Sequence, residues 1–126
     1  MDKRLKKAKS TIENGKSVLG IELGSTRIKA VLIGDDNKPI AFGGYDWENT
    51  YQDNIWIYNI EDALQGLQCA YSDLTENVKI EFGIDIKSLG AIGISGMMHG
   101  YIALDEEDNL LVPFRTWRNN ITRQAS

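Results

Sequence analysis

Glu22, Gly24, Ser25, Thr26 and Arg27 fall within six residues, in the stretch "IELGSTRIKAVLI" that spans 21–33. A glycine lets a ligand come close to the backbone. Consecutive amides in a tight turn make a concavity that holds an anion. Ser25 and Thr26 add hydroxyl donors, and Arg27 and Lys29 add positive charge. Glu22 sits at the end of an apolar run. On a buried strand a solitary carboxylate is costly unless it is paired or placed on a cation, and a Mg2+ ion that also touches phosphate oxygens would suit it. The same residues also suit a plain polar hairpin turn with Glu22 facing solvent.

A second group lies in "GISGMMHGYIALDEEDNLLVPFRTWRNN". Ser95 and Gly96 break an apolar run, and Met97, Met98 and His99 occupy the turn that follows. His99 is the chain's one histidine. Placed there it can hydrogen-bond a hydroxylated ligand beside an adaptable methionine wall. It equally suits a histidine satisfied by backbone, with the methionines in the core. Trp117, Arg118 and Asn119 then offer an apolar plate, a cationic fork and an amide in three residues. That trio suits a sugar, or an ordinary surface corner.

The elements that must position these residues follow from pattern. "SVLGIEL" reads as a buried-type strand, and "RIKAVLI" as a second one by its alternation. "GDDNKP" is a turn, and "IAFGGYDWE" a third strand weakened by two glycines. The chain thus opens as a three-stranded meander. "NTYQDNIWIY" reads as an irregular connection. From Ile60 the period changes: Ile60, Leu64, Leu67, Ala70 or Tyr71, Leu74 and Val78 recur at helical steps. Asn59 is the expected N-cap, Glu61 and Asp62 suit the first turn, and Gly83 ends the helix. "SLGAIGISG" reads as a buried strand and "MHGYIALD" as another, with "EEDN" a turn and "LLVPFRTWRN" extended. The plan is α/β: a meander, a crossover helix and further strands.

Composition bounds the rest. The chain has 126 residues, 42% of them hydrophobic and 25% charged, enough for one domain with a core. No apolar run is long enough to span a bilayer. The basic start is followed by no apolar segment and does not read as a secretory signal. The lone Cys69 suggests neither a disulfide nor a zinc site and suits a reducing cytoplasm. Residues 1–16 carry six bases and two acids, leaving eight bases against sixteen acids for the remainder. With an acidic body and no interleaved aromatics, this basic leader reads as a solvated helix or a disordered tail rather than a nucleic-acid or membrane anchor.

Together, "VLGIELGSTRIKAVLI" and "LGAIGISGMMHGYIALDEEDNLLVPFRTWRNN" resemble the N-terminal part of the FGGY carbohydrate kinases, in particular the xylulokinase-like branch. Members open with a Gly-Ile-Asp-Leu-Gly-Thr-Ser hairpin and later carry Gly-Ile-Ser-Gly-Gln-Met-His-Gly and a Pro-x-x-x-Trp-x-Asn/Asp segment. Here Met98, His99, Gly100, Pro113, Trp117 and Asn119 match, over roughly residues 18–122. The resemblance implies a ribonuclease-H-like fold of the actin, hexokinase and Hsp70 superfamily. It implies ATP-dependent phosphorylation of a sugar hydroxyl with Mg2+, a ketopentose such as xylulose being the first guess. It sets Gly24, Ser25, Thr26 and Arg27 on the phosphate turn and Glu22 on the metal-associated acid. Met98 and His99, with Trp117, Arg118 and Asn119, would border the sugar.

Three positions depart from the family pattern. Glu22 stands where Asp is usual, Met97 where Gln is common, and Arg118 where a small polar residue is common. Members of the family are much longer. Their general-base Asp and adenosine pocket lie downstream of the matching segment, so residues 17–126 read as the first part of a larger kinase domain. The expectations are that this piece is inactive alone, and that it dimerises or self-associates through uncovered apolar surface. A non-catalytic sugar- or nucleotide-binding regulator on the same fold is the alternative reading.

Overall fold

The computed structural model describes residues 2–116. The basic leader forms α1, Lys3–Glu13, capped by Asp2, whose side chain accepts from the Arg4 amide. Lys3, Lys6 and Lys7 face water, whereas Leu5, Ala8, Thr11 and Ile12 turn inward and Ile12 joins the core. A few apolar residues at helical spacing therefore dock a helix that its charge alone suggested was solvated. Lys7 pairs with Asp35 at 3.6 Å, at the turn after the second strand.

The meander follows as expected: β1 (Val18–Leu23), β2 (Arg27–Ile33) and β3 (Pro39–Asp46), all antiparallel. Alternation sets Leu19, Ile28, Ala30, Leu32 and Ala41 on one buried face. Two short strands come next, β4 (Thr50–Gln52) and β5 (Ile55–Tyr58), paired antiparallel. This corrects the expected irregular connection. Asp53 and Asn54 both hold positive φ, 52° and 64°, which is the backbone of a two-residue hairpin turn.

Helix α2 runs Ile60–Phe82. Asn59 caps it by accepting the Glu61 amide at 2.9 Å, and Gly83 ends it with φ of 69°. The helix lies on β2 and β3. Its buried stripe is Gly66, Ala70, Leu74, Val78 and Phe82, a strict four-residue step. Leu64, expected in the core, is 58% exposed. The reason is close approach. A Cβ on Gly43 would strike the α2 backbone at Ala70 and Leu74, and one on Gly66 would strike Tyr45 and Ile28. The residues nearest the sheet must be small, so the large Leu64 falls to the side. Two α2 side chains also cover the edge of β3: Gly44 N–H donates to Asp73 at 3.0 Å, and Asn77 donates to the Phe42 carbonyl at 2.7 Å.

Strand β6, Ala91–Gly96, pairs parallel with β1 and completes the sheet order β3-β2-β1-β6. It is exposed along its whole length, not buried. It is an edge strand; Ile92 and Ile94 are in register with Leu19 and Ile21, on the face that carries α2, but α2 lies over β2 and β3 at the far edge, so they stay 58% and 67% exposed. Residues 98–105 form no strand either. Isolated bridges join Tyr101 to Arg115 and Leu104 to Leu110, and the last strand, β7, is only Phe114–Arg115 on β5. The Asp105 carboxylate accepts the amides of Glu107 and Asn109, so this stretch folds back on itself instead of joining the main sheet. Among the described residues no helix is long and apolar enough to cross a membrane.

Candidate functional site

Strands β1 and β6 run parallel and end side by side. The turn after β1 is Gly24–Thr26, and the turn after β6 is Met97–His99. Met97 N–H donates to the Leu23 carbonyl at 3.1 Å, so both turns leave the same end of the sheet in contact. Loops at the carboxyl ends of adjacent strands are where open α/β sheets bind ligands. The two groups singled out from sequence, about 70 residues apart, are thus neighbours.

The first turn is tightly fixed. Gly24 N–H donates to the Arg27 carbonyl at 3.0 Å, and a Cβ on Gly24 would meet that oxygen at 2.7 Å. Any larger residue would open the turn. Three carbonyls are held from beneath: the Trp47 indole donates to Gly24 at 2.7 Å, the Tyr58 hydroxyl to Ser25 at 2.7 Å, and the Trp47 backbone N–H to Thr26 at 3.2 Å. Trp47 and Tyr58 are buried and stacked, centroids 4.4 Å apart. Phe114 extends the stack at 5.2 Å, and its ring lies against Gly100, next to His99. Sequence reasoning did not select Trp47 or Tyr58. Trp47 was read at the end of the third strand and Tyr58 at the end of a segment read as irregular, and their partners lie 23 and 33 residues away.

Glu22 is exposed, which corrects the picture of a costly buried carboxylate. It stands on the sheet face opposite α2, in register with Lys29 of β2 and Ser95 of β6. Its carboxylate lies beside the turn, 3.8 Å from where a Gly24 Cβ would be. Among the described residues no group of three or more His, Cys, Asp or Glu could hold a metal. One carboxylate beside this turn would fit Mg2+ only in the manner of an ion that takes its remaining ligands from a bound ligand and water.

Arg27 does not reach over the turn. Its guanidinium pairs with Asp46 at 2.6 Å and lies across Gly44, where a Cβ would collide with it. Met98 is 84% exposed and His99 is exposed, while Met97 packs against the core. Met98 and His99 are thus available to a ligand rather than part of a satisfied interior. Trp117, Arg118 and Asn119 lie outside the described residues.

Residues 17–126 match the FGGY family of carbohydrate kinases, N-terminal domain. The chain belongs to this family. It is 26% identical to the xylulose kinase of Lactococcus lactis subsp. lactis (strain IL1403), covering 81% of this chain and 20% of that protein. A ligand-bound xylulose kinase structure from Lactobacillus acidophilus superposes with a TM-score of 0.71 at 25% identity, covering 87% of this chain and 21% of the other. A gluconate kinase structure from the same organism gives the same score, identity and coverage. The fold is that of the FGGY kinases, the ribonuclease-H-like α/β fold of actin and hexokinase. The chain spans about a fifth of the length of the curated relatives it matches.

Proposed function

We propose that the full-length protein transfers the γ-phosphoryl group of ATP to a hydroxyl of a sugar, a ketopentose of the xylulose type. The observation that carries this is the contact between the two turns in an FGGY chain: a glycine-containing hydroxyl turn and an exposed Met98–His99 pair joined through Met97 and Leu23. Phosphoryl transfer needs positioning and charge neutralisation more than covalent help from the protein. A turn that takes phosphate, set beside one that takes a polyol, meets that need.

In this reading a sugar hydroxyl oxygen bonds to the γ-phosphorus, the bond to the ADP oxygen breaks, and the hydroxyl proton passes to a general-base Asp beyond residue 126. Gly24 lets the phosphate chain approach, and Ser25 and Thr26 donate to it. Glu22 is the residue that would hold Mg2+, which would supply charge neutralisation at the phosphates. Arg27 stays paired with Asp46 at the base of the turn. His99 hydrogen-bonds the sugar and Met98 packs against its carbons, with Trp117, Arg118 and Asn119 completing the border. A lone cysteine and a phosphorylated-sugar product suit the cytoplasm.

Because a xylulose kinase structure and a gluconate kinase structure are equally similar to this chain, the substrate panel extends beyond ketopentoses. A coupled ADP-release assay of the full-length protein against ketoses, polyols and aldonates tests the proposal. ATP-dependent turnover on a ketopentose is expected. Saturable sugar binding without turnover on any of them would favour the non-catalytic regulator.

A further inference from the structure

We infer that Trp47 and Tyr58 are positioning residues for the turn at 24–26, holding its carbonyls inward so that the amides of Ser25 and Thr26 face the ligand. The inference rests on the reading of this turn as a phosphate-contacting one.

The argument is geometric. In a trans peptide the C=O of one residue and the N–H of the next lie in one plane and point in opposite directions. The Gly24 carbonyl is held by the Trp47 indole, so the Ser25 N–H points away from Trp47. The Ser25 carbonyl is held by the Tyr58 hydroxyl, so the Thr26 N–H points away from Tyr58. Trp47 and Tyr58 are 4% and 2% exposed, while Ser25 and Thr26 are exposed. Both amides therefore face outward. Among the described residues no hydrogen bond satisfies either of them. A turn with its acceptors occupied and its donors free presents a positive concavity without a formal charge.

Holding matters because a two-residue turn can flip its central peptide. A flip would exchange the outward Thr26 amide for the outward Ser25 carbonyl, which repels phosphate. Gly24, Ser25 and Thr26 all avoid positive φ, so no left-handed glycine fixes the orientation from within the turn. The two aromatic donors fix it from outside. The stack of the two rings restrains the donors themselves.

The experiment uses Tyr58→Phe and Trp47→Phe, which delete the donor groups and keep an aromatic ring, with Tyr45→Phe as a hydroxyl-loss control elsewhere. Amide NMR follows Ser25 and Thr26 in the 126-residue chain, first free and then titrated with inorganic tripolyphosphate. Thermal melts confirm that each variant is folded. The expected result is that tripolyphosphate shifts both amides in the unsubstituted chain. Tyr58→Phe and Trp47→Phe should each weaken it about 3- to 10-fold, the worth of one hydrogen bond, and lower the amide order parameters of the free turn. Tyr45→Phe should do neither. Unchanged affinity and unchanged order in both variants overturn the inference. If the unsubstituted chain gives no shift at either amide, the phosphate reading falls. The free-state order parameters then decide the positioning role separately: a fall in both variants supports it, and no change overturns it.

Discussion

The backbone N–H of Met97 donates to the carbonyl of Leu23 at 3.1 Å. This bond extends the parallel pairing of β6 with β1 by one step beyond Gly96 and Leu23. It brings the turn that carries His99 against the turn that carries Ser25 and Thr26. Neither turn needs the other to form, yet the sheet register leaves them one place to be.

Gly43→Ala should destabilise the chain by about 1–3 kcal/mol, since the added Cβ overlaps the α2 backbone and the helix must shift. Gly93→Ala, on the exposed β6 with open space around it, should cost less than about 1 kcal/mol. Paired urea melts compare the two. Equal losses would mean that α2 does not rest on β3 as described.

Asp105 accepts hydrogen bonds from the amides of Asn109 and Glu107, which hold its carboxyl below the usual aspartate range. Its folded value lies below the unfolded one, so its contribution to stability is present above the unfolded value and lost as pH falls through the folded one. A carbon-detected NMR titration should give a midpoint for Asp105 below the ordinary aspartate value. The amides of Glu107 and Asn109 should shift over the same range.

The Tyr45 hydroxyl donates to Asp62 at 2.6 Å, and this bond to a carboxylate pushes its ionisation upward. Here the folded value lies above the unfolded one. The contribution is intact below the unfolded value, about pH 10, and is lost as pH rises through the folded one. Ultraviolet titration at 295 nm should show a tyrosine step above the ordinary value, and Tyr45→Phe should remove that step.

How much of this was legible in the sequence depended on distance along the chain. β1, β2 and β3 were plain because alternation is local, and α2 was plain because Asn59 and Gly83 mark its ends. The β4–β5 hairpin was hidden because strands of three and four residues show no usable period, although Asp53-Asn54 carried the turn signal. Ile92 and Ile94 announced a strand that wants burial, but composition cannot say whether anything lies on it. The candidate turns themselves were found from residue type and from resemblance. Their braces were not, because Trp47 and Tyr58 reach Gly24 and Ser25 only through the folded chain.

The outer edge of β6 is unpaired among the described residues and carries no charged residue from Ala91 to Gly96. Such an edge with exposed Ile92 and Ile94 is a template for pairing. The 126-residue chain should self-associate, and Ile94→Lys should shift it toward monomer. Light scattering across a tenfold concentration range checks this. A constant mass of 14.1 kDa for the unsubstituted chain would contradict it.

The most direct measurement of the central claim is steady-state kinetics of the full-length protein with His99→Ala and Glu22→Ala, varying sugar and ATP separately. The account expects His99→Ala to raise KM for the sugar about tenfold or more, with KM for ATP little changed, as loss of one hydrogen bond to a substrate hydroxyl would do. It expects Glu22→Ala to lower kcat and to weaken the response to Mg2+. If His99→Ala and Glu22→Ala both leave kcat and the two KM values unchanged, the paired turns are not the site.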